Sequence, residues 1–167
     1  MAPRIVLIGP MGAGKTTVGA EVARRLNCSF ADTDQLIEAD QGKSISEIFI
    51  EDGEPHFRLV EESIVIDALL AESGVLSLGG GAVANDATQN AIANSSAKKI
   101  FLDISLSAVS PRVGFDSARP LLMVNPRQKW AELMNARRPI YESLADLKID
   151  VSEKTVDEIA SQIVETL

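Results

Sequence analysis

Residues 9–16 carry the clearest chemical pattern in the chain. They read Gly-Pro-Met-Gly-Ala-Gly-Lys-Thr, which matches the phosphate-binding pattern G-x-x-x-x-G-K-[S/T] in full. Glycines permit a tight loop whose N–H groups point at phosphate oxygens, and the N-terminus of a following helix favours an anion. We expect Lys15 to contact the β- and γ-phosphates of a nucleotide. We expect the hydroxyl of Thr16 to bind Mg²⁺, because this cation prefers oxygen ligands.

The phosphate-binding loop leaves the reaction open. The D-x-x-G and N-K-x-D patterns that GTPases normally carry occur nowhere in the sequence, and 167 residues leave little room for the appendages of motor or transport ATPases. The economical interpretation is a small kinase. The alternatives are a kinase whose substrate is a small alcohol such as gluconate and a nucleotide-binding protein without catalysis.

Two carboxylates, Asp32 and Asp34, follow the second predicted strand. One could hold Mg²⁺ through water, and the other could orient an attacking hydroxyl or accept its proton. The plainer interpretation is a helix N-cap at Thr33 or Asp34. Asp103 is a rival metal ligand, because it follows an apolar strand pattern directly.

A possible anion-binding pair lies in residues 53–61. On a helix, Arg58 and Glu61 are i, i+3 neighbours, so Glu61 could hold Arg58 ready for a substrate carboxylate. A surface ion pair of little energetic value is the alternative. Residues 79–81 are three consecutive glycines after a buried strand, which would let a ligand approach the backbone closely, although a strand-end turn would also contain glycine.

The charge of the chain narrows the class of ligand. Sixteen Lys and Arg against 24 Asp and Glu give a net charge of −8, and the pI is about 4.7. This balance excludes a general binder of nucleic acid or of acidic membranes. Residues 105–138 nevertheless contain six bases and two acids. This local excess favours a small anionic ligand, although a solvated helix face would look the same.

The composition also bears on disulfides, metal sites and the cellular location of the protein. One cysteine, Cys28, excludes an internal disulfide, and together with one histidine, His56, it is too little for a zinc site. We interpret Cys28 as a small apolar filler and His56 as a surface position. No signal-peptide or membrane-helix pattern occurs, so we expect a cytoplasmic protein. No broad extra apolar stripe is left over, so we expect a monomer.

The elements that must position these residues alternate along the chain. Apolar strand patterns at 4–8, 28–31, 75–78, 100–104 and 147–151 are separated by helical patterns. This order predicts an α/β fold with a five-stranded parallel sheet between helices, as one domain over 1–167, with ligands at the carboxyl ends of the strands. Pro139 is expected to kink or restart its helix. The irregular composition near 113–125 predicts a mobile lid from which Arg119 could reach the transferring phosphate.

Taken together and in this order, the motifs resemble the shikimate kinase family, which is similar in fold to the nucleoside monophosphate kinases. The patterns are the phosphate-binding loop, D-x-D, G-x-x-x-F-R-x-x-E, G-G-G, R-P-L and R-x-P-x-Y, at 9–16, 32–34, 53–61, 79–81, 119–121 and 137–141. The match extends from residue 5 to about 141. It implies a three-layer α/β/α fold with a mobile lid. It also implies Mg²⁺-dependent transfer of the ATP γ-phosphoryl group to the 3-hydroxyl of shikimate, in aromatic amino-acid biosynthesis.

The resemblance also implies roles for single residues. ATP would be bound by Gly12, Ala13, Gly14, Lys15, Thr16, Thr17, Arg112 and Arg119. Shikimate would be bound, largely within a segment at about 33–61, by Asp34, Phe49, Phe57, Arg58, Glu61, Gly79, Gly80, Gly81 and Arg137. The catalytic residues would be Lys15, Asp34 and Arg119, and the metal ligands Thr16 and Asp32.

Within this set, Arg58 and Arg137 would bind the shikimate carboxylate, with Arg138 an open alternative to Arg137. Asp34 and the Gly80 N–H would bind its hydroxyls. The family's adenine-loop pattern is not clear near 153–156, so the resemblance assigns no contacts there.

Overall fold

The computed structural model describes residues 3–113 and 125–167. Five parallel strands form one sheet in the order β2-β3-β1-β4-β5. The strands are β1 (Ile5–Ile8), β2 (Phe30–Asp32), β3 (Val75–Ser77), β4 (Lys98–Asp103) and β5 (Leu147–Asp150). All residues of the central strand β1 are buried, as expected for a strand covered on both faces. The predicted fold class is confirmed.

Helices connect the strands. They are α1 (Lys15–Leu26), α2 (Thr33–Gln41), α3 (Ile45–Glu51), α4 (Glu54–Ala71), α5 (Asp86–Asn94), α6 (Leu106–Val113), α7 (Pro126–Leu144) and α8 (Val156–Glu165), with a 3₁₀ turn at Ala82–Ala84. Helix α1 packs on α8, and α5 contacts both α4 and α7. In the described part of the chain, no helix combines the length and the apolar character needed to cross a membrane.

Two apolar clusters stabilise this arrangement. The main core joins the strands to α1, α4, α7 and α8. A smaller cluster of Ile37, Ile48 and Phe57 lies between α2, α3 and α4. The segment between β2 and β3 therefore has its own packing, next to the carboxyl ends of those strands.

Two predicted boundaries near β2 are wrong. The second strand covers Phe30–Asp32 rather than 28–31, because the N–H of Cys28 still donates to Ala23 O in the C-terminal turn of α1, 3.0 Å away. Asn27 ends that helix in the left-handed conformation, with φ 52°. The N-cap of α2 is Asp32, rather than Thr33 or Asp34. A carboxylate at the last strand residue can cap the helix that follows without an intervening loop.

The prediction that the helix restarts at Pro139 is also wrong, since α7 runs through it from residue 126 to 144. A proline inside a helix removes one backbone hydrogen bond and strains the preceding turn. Tertiary bonds hold the helix on both sides of Pro139: Arg138 pairs with Asp103, and the hydroxyl of Tyr141 donates to Gly80 O. The helix remains continuous because its side chains are fixed from outside.

Candidate active site

A cavity of about 780 Å³ opens at the carboxyl ends of β1, β2 and β3. Its walls come from residues 11–18, from Asp32, Asp34, Ile45, Phe49, Phe57, Arg58 and Glu61, from residues 77–81, from Arg112 and Arg137, and from Lys154, Thr155, Val156 and Ile159. This is the edge of a parallel sheet at which α/β proteins bind ligands. Every predicted site residue that the structure describes lies in this wall.

The phosphate-binding loop occupies the centre of the cavity floor. The backbone φ angles of Gly9, Gly12 and Gly14 are 145°, 86° and 90°, values that residues other than glycine rarely adopt. The loop curls around the buried Lys15, whose ammonium donates to Gly9 O at 2.7 Å and to Pro10 O at 2.9 Å. The arrangement places a cation and the N-terminus of α1 at one point, as a polyphosphate requires.

Trp130 braces this loop from α7. Its indole N–H donates to Met11 O over 3.0 Å, and the side chain is buried. The partner is 119 residues away in the chain, so no local pattern indicates this bond.

Thr16 and Asp32 form an oxygen pair beside the loop. The hydroxyl of Thr16 donates to Asp32 Oδ2 at 2.5 Å, and Asp32 Oδ1 accepts from the N–H of Asp34 at 2.9 Å. Asp32 thus caps α2 and also contacts Thr16. Hydroxyl and carboxylate oxygens suit Mg²⁺, which takes few protein ligands when phosphates supply the others.

Asp34 faces the same cavity and is partly buried. Burial, and then the neighbouring carboxylates of Asp32 and Glu61, raise the pKa of Asp34 to about 7, although Lys15 acts in the opposite direction. Gly79 makes room for Asp34, because a Cβ at residue 79 would lie 2.7 Å from Asp34 Oδ1. A carboxyl group with a pKa near neutrality can accept a proton from a substrate hydroxyl.

Two guanidinium groups converge on Gly81. A Cβ at that residue would lie 2.5 Å from Arg58 Nη1 and 2.9 Å from Arg137 Nη2. Arg58 Nη1 also donates to Glu61 Oε1 at 2.7 Å, which confirms the predicted i, i+3 pair. Burial raises the pKa of Glu61, and Arg58 counteracts this rise. Two arginines side by side are able to bind one carboxylate together.

The glycine triplet therefore has a steric reason. Gly79 lies against Asp34 and Glu61, Gly80 lies against the backbone of Met11, and Gly81 lies against Arg58 and Arg137. Side chains at these three positions would displace the functional groups, which a simple strand-end turn would not require.

An aromatic pair forms the adjacent wall. The rings of Phe49 and Phe57 are 4.8 Å apart at an interplanar angle of 42°, and the Arg58 guanidinium lies 5.2 Å from the centre of the Phe57 ring. His56, on the same helix, is exposed and hydrogen-bonds to Gln41. The wall gives an apolar face to a ring-shaped substrate, and His56 lies outside it.

Asp103, the rival metal ligand, and Arg138, the alternative to Arg137, form an ion pair with each other. Arg138 Nη1 donates to Asp103 Oδ2 at 2.8 Å, and neither residue lines the cavity. The Asp103 carboxylate therefore faces an arginine of α7, and Arg137 rather than Arg138 lines the cavity.

The far end of the cavity involves residues on which sequence analysis made no assignment. Lys154, Thr155 and Val156 line it, and Thr155 is the N-cap of α8. Opposite them, Arg112 is exposed and donates to Gly12 O at 3.3 Å. Arg119 and most of the predicted lid at about 113–125 lie outside the described residues.

Comparisons with known proteins identify the relatives of this chain. The family model described as shikimate kinase matches residues 11–167. A shikimate kinase from Thermobifida fusca (strain YX) is 46% identical over 165 residues, which cover 99% of this chain and 95% of that protein. The solved structure of shikimate kinase from Acinetobacter baumannii in complex with shikimate has a TM-score of 0.94 at 34% identity, covering 99% of this chain and 93% of that one. A gluconokinase from Sinorhizobium meliloti 1021, at 18% identity and a TM-score of 0.60, shares the fold alone.

Proposed function

The chain belongs to the shikimate kinase family, and from this we propose how its own residues divide the binding of ATP and shikimate and the transfer of the phosphoryl group. As a member of this family it is an ATP-dependent kinase that phosphorylates shikimate in the shikimate pathway. The γ-phosphoryl group passes to the 3-hydroxyl, which gives shikimate 3-phosphate and ADP.

One observation carries the assignment of roles. The cavity brings two guanidinium groups, a carboxyl group with a pKa near 7, and the phosphate-binding loop into one continuous space. Shikimate offers a carboxylate, a ring and hydroxyls, and these match Arg58 with Arg137, the Phe49–Phe57 wall, and Asp34. The acid thus binds at one end, while its hydroxyl faces the loop that holds ATP.

Asp34 orients the attacking hydroxyl and takes its proton. Since phosphoryl transfer proceeds mainly by positioning and charge stabilisation, the base has a modest task, and a pKa near neutrality suits it. Glu61 holds Arg58 in place through the 2.7 Å bond. Lys15 stabilises the charge on the moving group, and Gly12, Ala13, Gly14, Thr17 and Arg112 complete the ATP site.

Thr16 and Asp32 are the residues that would hold Mg²⁺. The 2.5 Å bond between them presents two adjacent oxygen donors at the edge of the loop. When bound with the nucleotide, Mg²⁺ neutralises part of the phosphate charge. We assign Arg119 to the transferring phosphate on the family resemblance alone.

Two substitutions test this assignment. Lys15→Ala is expected to lower kcat by on the order of a hundredfold or more, the usual cost of removing one preorganised donor. Arg58→Ala is expected to raise the KM for shikimate far more than the KM for ATP. Near-wild-type turnover of a folded Lys15→Ala variant, or equal effects of Arg58→Ala on both KM values, would overturn the respective role.

We also propose that the protein is a single-domain monomer in the cytoplasm. This proposal rests on the chain length, on the absence of a surplus apolar stripe in the sequence, and on the single cysteine. Sedimentation of the purified chain tests the monomer, since a mass of 17.9 kDa is expected.

A further inference from the structure

The R-x-P-x-Y motif ends on Tyr141, a residue to which the proposed function gives no task. Its ring is fully buried and packs on Phe101, with ring centres 5.0 Å apart at 32°. Its hydroxyl donates a 2.5 Å hydrogen bond to Gly80 O. A buried tyrosine needs some partner for its hydroxyl, but this partner is the backbone of a residue that lines the cavity.

Gly80 lies where the two ligand-binding loops meet. A Cβ at residue 80 would be 3.2 Å from Met11 N and 3.5 Å from Gly9 O. The glycine loop therefore rests directly on the phosphate-binding loop. A rotation of the Gly80 peptide would therefore disturb the contact between the two loops.

The hydrogen bond fixes the orientation of one peptide plane. In a trans peptide the carbonyl and the next N–H point in opposite directions. Holding Gly80 O toward Tyr141 therefore directs the N–H of Gly81 away from α7. Gly81 is the residue beside Arg58 and Arg137, so this plane belongs to the acid-binding end of the cavity.

The hydroxyl is a constant donor. Burial raises the pKa of Tyr141 to about 12, so the group keeps its proton at any pH at which the enzyme works. Its position on α7, four residues after Arg137, joins the backbone of the glycine loop to the helix that carries one of the two arginines.

We propose that Tyr141 is a positioning residue for shikimate, which holds the Gly80–Gly81 peptide in the orientation that the bound acid requires. This inference rests on the proposed function, because it takes the acid to bind beside Gly81. Tyr141 does not touch the substrate. It acts through the Gly80 backbone, and its hydroxyl also interacts with the Arg137 guanidinium, which counteracts the effect of burial on the pKa of Tyr141.

Tyr141→Phe tests the proposal, since it removes the hydroxyl and leaves the ring. We expect the KM and the Kd for shikimate to rise roughly five- to tenfold, as for the loss of one hydrogen bond. The KM for ATP is expected to change less than about twofold. Unchanged shikimate constants, or an equal rise in both KM values, would overturn the proposal.

Phe101→Leu is the matched control, because it disturbs the packing of the same ring and keeps the hydroxyl. It is expected to lower Tm while leaving the ratio of the two KM values at its wild-type level. If it raises the shikimate KM selectively, as Tyr141→Phe should, packing rather than the hydrogen bond is responsible and the proposal fails. Arg58→Ala distinguishes a failure of this proposal from a failure of the proposed function. If Arg58→Ala selectively loses shikimate binding and Tyr141→Phe does not, only the role of Tyr141 is refuted.

Discussion

Glu61 interacts with Arg58, a proposed ligand of the substrate carboxylate, and with Asp34, the proposed base, so its substitution should have two separable effects. Its side chain is 5% exposed, and its Oε1 accepts the 2.7 Å bond from Arg58. Its negative charge is also one of the causes that raise the pKa of Asp34. Glu61→Gln keeps the size of the side chain and removes the charge.

The first expected effect is weaker binding of shikimate. A hydrogen bond to a charged group contributes about 1.5–3 kcal/mol, and glutamine keeps a neutral acceptor, so the lower end of that range applies. About 1.4 kcal/mol corresponds to a tenfold change, and we therefore expect the shikimate KM to rise roughly tenfold. The KM for ATP is expected to stay unchanged.

The second expected effect is a shift of the pH profile. The proposed base is active when deprotonated, so kcat/KM for shikimate, which reports groups of the free enzyme, should fall as the pH drops through the pKa of Asp34, about 7. Without the charge of Glu61, the pKa of Asp34 falls, because one repulsion on its charged form is removed. The acidic limb of the profile should therefore move to lower pH in Glu61→Gln.

The assay is coupled ADP release, with each substrate varied in turn across the neutral pH range. Glu62→Gln is the matched control: its carboxylate accepts a hydrogen bond from Asn85 and does not line the cavity. This variant should keep the wild-type KM values and pH profile. An unchanged shikimate KM and an unmoved acidic limb in Glu61→Gln would exclude both effects of Glu61.

Three further predictions follow from the same contacts. Asp34→Asn should abolish most turnover, yet above pH 7 it should raise the free energy of unfolding by at most about 4 kcal/mol, because the folded-state pKa of about 7 exceeds the ordinary 3.8. Thermal melts should show no gain in stability below pH 3.8, where the wild-type carboxyl group is protonated in both the folded and the unfolded state. A gain of equal size at all pH values would count against burial of the charge. Gly81→Ala should raise the shikimate KM at least about tenfold, since its Cβ would meet guanidinium nitrogens of Arg58 and Arg137 at 2.5–2.9 Å; a normal KM would show that the arginines are not held there. Arg138→Gln should lower the free energy of unfolding by about 1 kcal/mol and leave the shikimate KM unchanged, whereas Arg137→Gln should raise the shikimate KM and leave the stability unchanged. Kinetics and thermal melts of both variants would show the opposite pattern if Arg138 rather than Arg137 bound the substrate.

The sequence predicted the parts of this molecule that depend on local patterns. The phosphate-binding loop, the five strands and the Arg58–Glu61 pair all arise from residues close together in the chain, and the structure has them within a few residues of the predicted places. The cap of α2 was predicted at Thr33 or Asp34 and lies at Asp32, because Asp and Thr both suit a cap. The choice depends on where β2 ends.

Long-range partners lay beyond such patterns. Tyr141 and Gly80 are 61 residues apart, Trp130 and Met11 are 119 apart, and Arg138 and Asp103 are 35 apart. Pro139 was expected to interrupt α7 because its local preference was known and the bonds that hold the helix were not. The same limit applies to Lys154–Val156, whose place in the cavity follows from the order of the strands rather than from their composition.

The most direct test of the account is ADP release by the purified chain with Mg-ATP and shikimate, quinate or gluconate. We expect strong release with shikimate, loss of that release in Asp34→Asn, and phosphate on the 3-hydroxyl of the product. Quinate and gluconate should give little above background. Equal release with gluconate, or full activity of Asp34→Asn, would contradict the assignment of the cavity to shikimate and of Asp34 to its hydroxyl.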